Sequence, residues 1–464
     1  MVVTGSSPYR SPTREERSRL EAFVVGRGGL PSLPALERAR LAAYAYAQVD
    51  AAHPAREDLL PAFLTATTAH ETAKAAVIPL LRAWREAGIE ALAFKGFALA
   101  LTAYEHPGQR FYEDLDLLIR PRDAAAAEHL ARSLGWSVRW SAARSGNVYS
   151  HELLHLASPD GRLVIDVHRL ILHSYAPWQR QLRRLTVAAW AASYEVPLGD
   201  TAVRVLDPRD AILIGLVLNR AWSTDAWRLK PRDYVDFQVV VERHGVTKRA
   251  LFQRARELRC ERTLTRFMER CDPYERRLGL RTPTRAQRLR WSLAVAGERR
   301  PYWFDHALNL PLIAPGVLRD TLRELPGLLR VLRLLRAEPD VERLLLRLDA
   351  AVVPPRVTAA TGTTSSDGEE RRRYRVVRGV HWGLKLLRVR PEGGCLPRSL
   401  AVFARLRRLG VPAVFVSGVR HGPDGLHGHA WVELDGGVLP ELGEPPGVRY
   451  APNVRHPADA RRDQ

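Results

Sequence analysis

Residues 110–119 read R-F-Y-E-D-L-D-L-L-I, and from Asp114 onward the run alternates as a β-strand does. Side chains two apart on a strand leave the same face, so Asp114 and Asp116 present their carboxylates together. Residues 163–168, L-V-I-D-V-H, form a second predicted strand whose Asp166 can join them. Three carboxylates converging from neighbouring strands are what two Mg2+ ions need to activate a hydroxyl and hold a triphosphate for in-line transfer. Upstream, a short apolar run at 91–94 ends in Lys95-Gly96, where glycine permits close backbone approach to a phosphate. Arg110 is a candidate for neutralising phosphate charge. A single D-x-D is more often a solvated strand edge, and it is the V-I-D-V-H segment that strengthens this one.

Outward from these strands the chain divides by pattern. Residues 1–70 read as a helical segment without recognisable chemistry, and 71–206 as a mixed α/β core. Residues 207–350 are almost wholly helical, with amphipathic stretches at 209–221 and 328–348. Residues 351–372 include T-A-A-T-G-T-T-S-S-D-G, which is too small and polar to offset the entropy of ordering and reads as a linker. A further domain follows at 373–464. The expected class is therefore α+β and multidomain, as 464 residues require.

The last domain carries its own chemistry. Cys395 follows two glycines and heads a predicted helix that stops at Gly410, with Pro397 in the first turn, where its missing N–H has no partner to lose. A thiol there feels the positive end of the helix dipole, which favours thiolate, and free backbone N–H groups can hold an oxyanion. Strands are expected at 411–419 and 429–434, the second beginning with His429. Asp435-Gly436-Gly437 reads as a hairpin turn. A three-residue loop would place Glu441 opposite Trp431, on the face of His429, completing a Cys-His-acid triad. A two-residue loop would turn Glu441 to the other face, leaving Asp435 as an alternative. A lone cysteine at a helix start is more often a small buried residue.

Two resemblances sharpen these readings. Cys395, Leu396, Arg398, Ser399, Leu400 and Ala401, then Gly418-Val419-Arg420, then His429-Ala430-Trp431-Val432-Glu433 resemble the transglutaminase-like B proteins of lasso-peptide biosynthesis. The resemblance implies a small transglutaminase- or papain-like cysteine hydrolase that removes the leader from a ribosomal precursor peptide. Cys395 would be its nucleophile, His429 its base and Glu441, where the family has aspartate, its orienting acid. The arrangement F-K-G, then R-F-Y-E-D-L-D-L-L-I, then V-I-D-V-H resembles uncharacterised nucleotidyltransferases of the polymerase-β superfold, with a helical extension. That implies Asp114, Asp116 and Asp166 as Mg2+ ligands, Lys95, Gly96 and Arg110 at the nucleotide, and an NTP as substrate. The sequence departs from that superfold in lacking a Gly-Ser pair close before the acidic pair.

The expectation is a bifunctional enzyme, cysteine peptidase and nucleotidyltransferase. The alternative is chiefly a nucleotidyltransferase whose tail is a non-catalytic binding module. The implied partners are the precursor peptide, a separate leader-binding recognition protein and a macrolactam synthetase. The 71 basic against 51 acidic residues allow acidic partners, but arginine is spread without dense tracts or interleaved aromatics, which argues against a nucleic-acid surface. The 3 cysteines form no C-x-x-C pair, no apolar run reaches a membrane span, and the polar first residues lack a signal-peptide core. These features suit a cytoplasmic protein.

Overall fold

The computed structural model describes residues 13–142, 150–174, 180–223, 226–300, 302–338, 340–350, 366–389, 394–422, 425–434, 437–439 and 450–457. The chain forms two compact units, one of Ser11–Ala142 with Asn147–Asn309, the other chiefly Leu310–Gln464.

The first unit is built on seven strands: β1 (Leu92–Phe94), β2 (Leu115–Leu118), β3 (Ser137–Ser141), β4 (Glu152–Ala157), β5 (Val164–His168), β6 (Tyr194–Leu198) and β7 (Thr201–Val205). Their order is β3-β4-β5-β2-β1-β7-β6. β2 runs parallel to β5 and β1 to β7, while the other neighbours are antiparallel. Alternation sorts the two faces. Leu115, Leu117, Ile165 and Val167 are buried with Val77, Leu80 and Trp84 of α1 (Arg56–Glu86). The other face sends Leu92, Phe94 and Leu118 into a core built largely by the helices after β7. Asp116, Asp166 and His168 share that second face and interrupt its apolar surface.

The stretch at 209–221, expected to be amphipathic, is instead buried nearly all round. Ile212, Leu213, Ile214, Val217 and Leu218 are each at most 1% exposed, and Ala211–Leu218 winds as a π-helix. An apolar run without a polar stripe can only be satisfied inside a core.

Arg110, the candidate for neutralising phosphate charge, is already paired within the protein. It is 7% exposed and forks onto Asp236 of α3 (Pro231–His244), with Nε to Oδ1 at 2.6 Å and Nη2 to Oδ2 at 2.8 Å. Tyr104 Oη donates to the same carboxylate at 2.7 Å. Burying a guanidinium is tolerable only with this matched partner, so the pair fastens the segment before β2 to the helical layer. In α2 (Lys95–Thr102), a Cβ at Gly96 would stand 2.7 Å from Tyr112 Cβ.

The second unit contains most of α4 (Tyr302–Ala337), then α5 (Val341–Ala350), α6 (Ser366–Leu386) and α7 (Cys395–Arg408). The first unit also has a short pair, β8 (Cys271–Asp272) and β9 (Arg277–Leu278). The second has an antiparallel sheet of β10 (Val414–Gly422), β11 (Gly425–Leu434), β12 (Gly437–Val438) and β13 (Ala451–His456), ordered β12-β11-β10-β13. Its core joins Leu328, Leu344 and Leu348 to Val380, Phe403, Phe415 and Val432. The helical stretch 328–348, assigned from sequence to the extension of the first domain, therefore packs with the thiol-bearing helix instead. Residues 351–365 of the expected linker lie outside the described residues, but 366–372 are already helical. Glu and Arg propagate a helix well, and acidic residues suit its first turn, so charge continues α6 where no apolar periodicity announces it.

Asp236→Ala is expected to lower stability by about 3–5 kcal/mol, because it strands the buried Arg110 charge. Urea denaturation followed by tryptophan fluorescence checks this, and a loss under about 1 kcal/mol would contradict it.

Candidate active sites

In the first unit, strand register assembles the site. Phe94 pairs with Asp116, Asp116 with Asp166, and Asp166 with His155, so one line crosses four strands. Paired residues leave the same face, and so do residues two apart, which adds His168 opposite Glu152. A cavity of about 140 Å3 lies over this line, bounded by Lys95, Asp114, Asp116, His151, Glu152, Asp166, His168, Ile171, His173 and Asn219.

Asp116 is the centre. It is 4% exposed, accepts from Lys95 Nζ at 2.5 Å and lies 3.0 Å from His168 Nε2. Burial alone would raise its pKa, but the Lys95 ammonium and the His168 contact outweigh that and hold it below the ordinary value. Asp114 sits at the open rim and Asp166 is half-buried. Desolvation first, and the neighbouring Asp116 charge next among the raising causes, push both up to about 6. Lys95 is raised: burial opposes its charge, but Asp116 leads three carboxylates that favour it. Its backbone sits at φ 61°, a left-handed conformation unusual for lysine, directly after β1. Lys95, with His155 3.9 Å from Asp166, serves three carboxylates, and the two raised acids mark negative charge that these groups do not neutralise.

Beside this centre lies a second group. Glu152 Oε1 is 3.0 Å from His151 Nε2, and its Oε2 is 2.8 Å from His155 Nε2. Burial would raise Glu152, yet the hydrogen bonds from His151 and His155 drive it well below the usual carboxylate range. Burial lowers His151, and burial followed by His151 itself takes His173 down to about 3.

In the second unit, Cys395 is a free thiol at the first residue of α7, after Gly394, and is half-buried. Ser399, one turn on and on the same side of the helix, donates its hydroxyl to Ala430 O at 2.8 Å. Ala430 follows His429 in the middle of β11, so this bond ties that part of the strand to α7 one turn from the thiol. Alternation gives Ala430 and Val432 to the helix-packed core and His429 and Trp431 to the other face. The His429 ring stacks on Trp431 at 6.1 Å and on Tyr450 at 5.1 Å. Trp431 is held by Nε1 donation to Glu433 at 2.9 Å, and Glu433 pairs with Arg455 at 2.8 Å. Gly418 opposes His429, and a Cβ there would meet Ala451 O at 2.8 Å and the Trp431 ring at 3.0 Å.

Of the two loop lengths considered, the hairpin takes the shorter. Glu433 pairs with Val438 and Leu434 with Gly437, which leaves two residues between the strands, and Leu439 N–H continues the ladder to Val432 O at 2.7 Å. Glu441 and Asp435 themselves lie outside the described residues. A second imidazole–carboxylate pair, His456 with Asp349 at 3.1 Å, lies beside Phe403 and Arg407, two to three turns along α7 from Cys395.

The profile of a family described as uncharacterised nucleotidyltransferase matches residues 32–273, just over half of the chain. The chain belongs to that nucleotidyltransferase family. Residues 341–455 match the transglutaminase-like superfamily. Among solved structures, the antibiotic-resistance factor ANT(2'')-Ia is 13% identical, covering 43% of this chain and 98% of its own at a TM-score of 0.27. An antigenic nucleotidyltransferase-like protein from Paracoccidioides brasiliensis is 15% identical, covering 45% and 93% at 0.31. Overlaps this slight add nothing to the assignment. No curated protein matches the chain.

Within the nucleotidyltransferase unit, Asp114, Asp116, Asp166 and Lys95 come together, whereas Arg110 and Gly96 do not line the cavity. The sequence reading missed His168, which its spacing from Asp166 could have given, since residues two apart on a strand share a face. It also missed His151, Glu152 and His155, which contact one another locally but meet the acidic line only through the register of β4 against β5, His173, which packs on His151, and Asn219, which comes from the helical layer. Among the described residues no helix is long and apolar enough to cross a membrane.

The raised acids set a pH dependence. Asp166 binds a proton more tightly folded than unfolded, so the metal-free protein loses stability as pH climbs from about 4 through 6. In chelator, Asp166→Asn should therefore stabilise the unit at pH 7.5 by on the order of 2 kcal/mol, fading towards pH 4. Denaturant midpoints at the two pH values check it. An equal effect at both would contradict the assignment.

Proposed function

We propose that the chain is a bifunctional cytoplasmic enzyme of ribosomal (lasso) peptide biosynthesis. Its nucleotidyltransferase unit transfers a nucleotidyl group from an NTP to a hydroxyl or phosphate, and its transglutaminase-like unit removes the leader from the precursor peptide. The observation that carries the reading is the cross-strand pair Asp116–Asp166, joined by Asp114 in a polar cavity and short of compensating charge.

That donor set fits Mg2+. Oxygen ligands converge, and the two carboxylates with raised pKa are those that a cation would relieve. Bound by Asp114, Asp116 and Asp166, Mg2+ would supply charge neutralisation for the triphosphate and acidify the acceptor. The chain's own groups do the rest. Asp116 stays ionised beside Lys95 and His168, and Lys95 stays cationic and points its ammonium into the cavity, where a triphosphate oxygen can take its place beside it. The acceptor oxygen forms a bond to the α-phosphorus as the bond to pyrophosphate breaks.

In the peptidase, Cys395 Sγ adds to the scissile carbonyl, whose oxygen faces the free N–H groups of the first turn of α7. His429 takes the thiol proton and passes it to the leaving amine, and water, deprotonated by His429, then hydrolyses the thioester, releasing the leader carboxylate and returning the proton to the thiol. The Ser399–Ala430 bond and the Trp431–Glu433–Arg455 chain support this reading by fixing the strand that bears His429. A separate recognition protein would deliver the leader, and a macrolactam synthetase would use the product.

Mass spectrometry of the cognate precursor incubated with the protein, its recognition partner, Mg2+ and mixed NTPs tests both halves. Leader loss that vanishes with Cys395→Ala, and nucleotide addition that falls at least about 100-fold with Asp116→Asn, are expected. Cleavage by Cys395→Ala would overturn the nucleophile, and an uncut precursor would leave the unit a binding module.

A further inference from the structure

The cavity of the first unit holds more than carboxylates. Besides the acidic line, it presents a second donor set, His151, Glu152 and His168, whose ligand atoms all lie within 4.8 Å of one another. His151 Nε2 and Glu152 Oε1 are 3.0 Å apart, a separation that two ligands of one ion adopt. The His151 and His168 rings lie 5.3 Å apart, and His173 packs on His151 at 4.2 Å.

An independent feature points to a ligand. His168 is 3% exposed, and its Nε2 is engaged by Asp116. Its buried Nδ1 has no hydrogen-bond partner among the described residues. A buried imidazole nitrogen left without a partner costs on the order of 1–3 kcal/mol. A ring fixed through one nitrogen to a carboxylate, with the other nitrogen available, is the arrangement that metal-binding histidines show.

The chemistry of the set decides which ion. Mg2+ takes oxygen ligands and keeps several waters, so imidazole is a poor donor for it. Two imidazoles with one carboxylate suit borderline dications, and this is a donor set that Zn2+ takes in open, solvent-accessible sites. We propose that His151, Glu152 and His168 form a site for a transition-metal dication of the Zn2+ class, separate from the Asp114–Asp116–Asp166 centre and sharing its cavity. The site does not depend on nucleotidyl transfer. His168 links the two centres, because the carboxylate that accepts from its Nε2 is Asp116.

The test uses the full chain stripped with chelator, then dialysed against Zn2+ in millimolar Mg2+, with metal counted by mass spectrometry. About one equivalent of Zn2+ should remain bound against Mg2+. Glu152→Gln and His151→Asn should each weaken retention at least about tenfold, while Asp114→Asn leaves it unchanged. Glu152→Gln keeps the shape of the side chain, and circular dichroism confirms that each variant is folded. Co2+ loading gives a second readout, a visible band from nitrogen ligation that His151→Asn should remove. No retained Zn2+, retention unchanged in both site variants, or equal loss with Asp114→Asn would each overturn the proposal.

Discussion

The first unit depends on one electrostatic constraint: Asp116 stands directly opposite Asp166 on parallel strands, inside a cleft, with the Lys95 ammonium as the nearest cation. Like charges on paired residues destabilise a sheet, so this arrangement works against the fold that carries it. The rest of the unit offsets it. Two apolar clusters clamp the strands from both faces, and the Arg110–Asp236 pair fastens the loop before β2 to the helical layer. Lys95 supplies the local compensation from a left-handed backbone position. The result is a preorganised negative centre that a cation and a polyphosphate together can complete.

The second unit packs a helix that begins with a thiol against a strand that bears an imidazole. α7 supplies the thiol at its first residue and buries its other side against β10 and β11. A single side-chain bond, Ser399 to Ala430, sets the strand against the helix one turn from Cys395. On the other face the Trp431 ring, tethered through Glu433 to Arg455, stacks beside His429.

Much of this was legible in the sequence where periodicity is local. The D-L-D-L-L-I and L-V-I-D-V-H runs gave strands and the shared face of Asp116 and Asp166, though Asp114 falls just before β2. The C-L-P-R-S-L segment gave a helix start, and H-A-W-V-E gave a strand that in fact begins earlier, at Gly425. What failed was long-range. Arg110 lies near the acidic strand in sequence, but its partner is 126 residues away, and only the fold shows that its charge is already taken. The loop at 435–436 depends on register, which turn residues alone do not fix. The helices from 328 to 348 look the same by pattern whichever core they enter, and only packing assigns them to the thiol-bearing unit. His151 and Glu152 needed the register of β4 against β5 before their meeting with His168 could be seen.

The central claim is that the Asp116–Asp166 pair creates a site that requires a cation in order to accept a nucleotide. Calorimetric titration of a non-hydrolysable NTP analogue, with and without Mg2+, into the wild-type chain and Asp166→Asn measures this directly. The account predicts binding by the wild type that needs Mg2+, and a loss of that Mg2+ requirement or of binding in Asp166→Asn. Nucleotide binding that is equal in both proteins and indifferent to Mg2+ would contradict it.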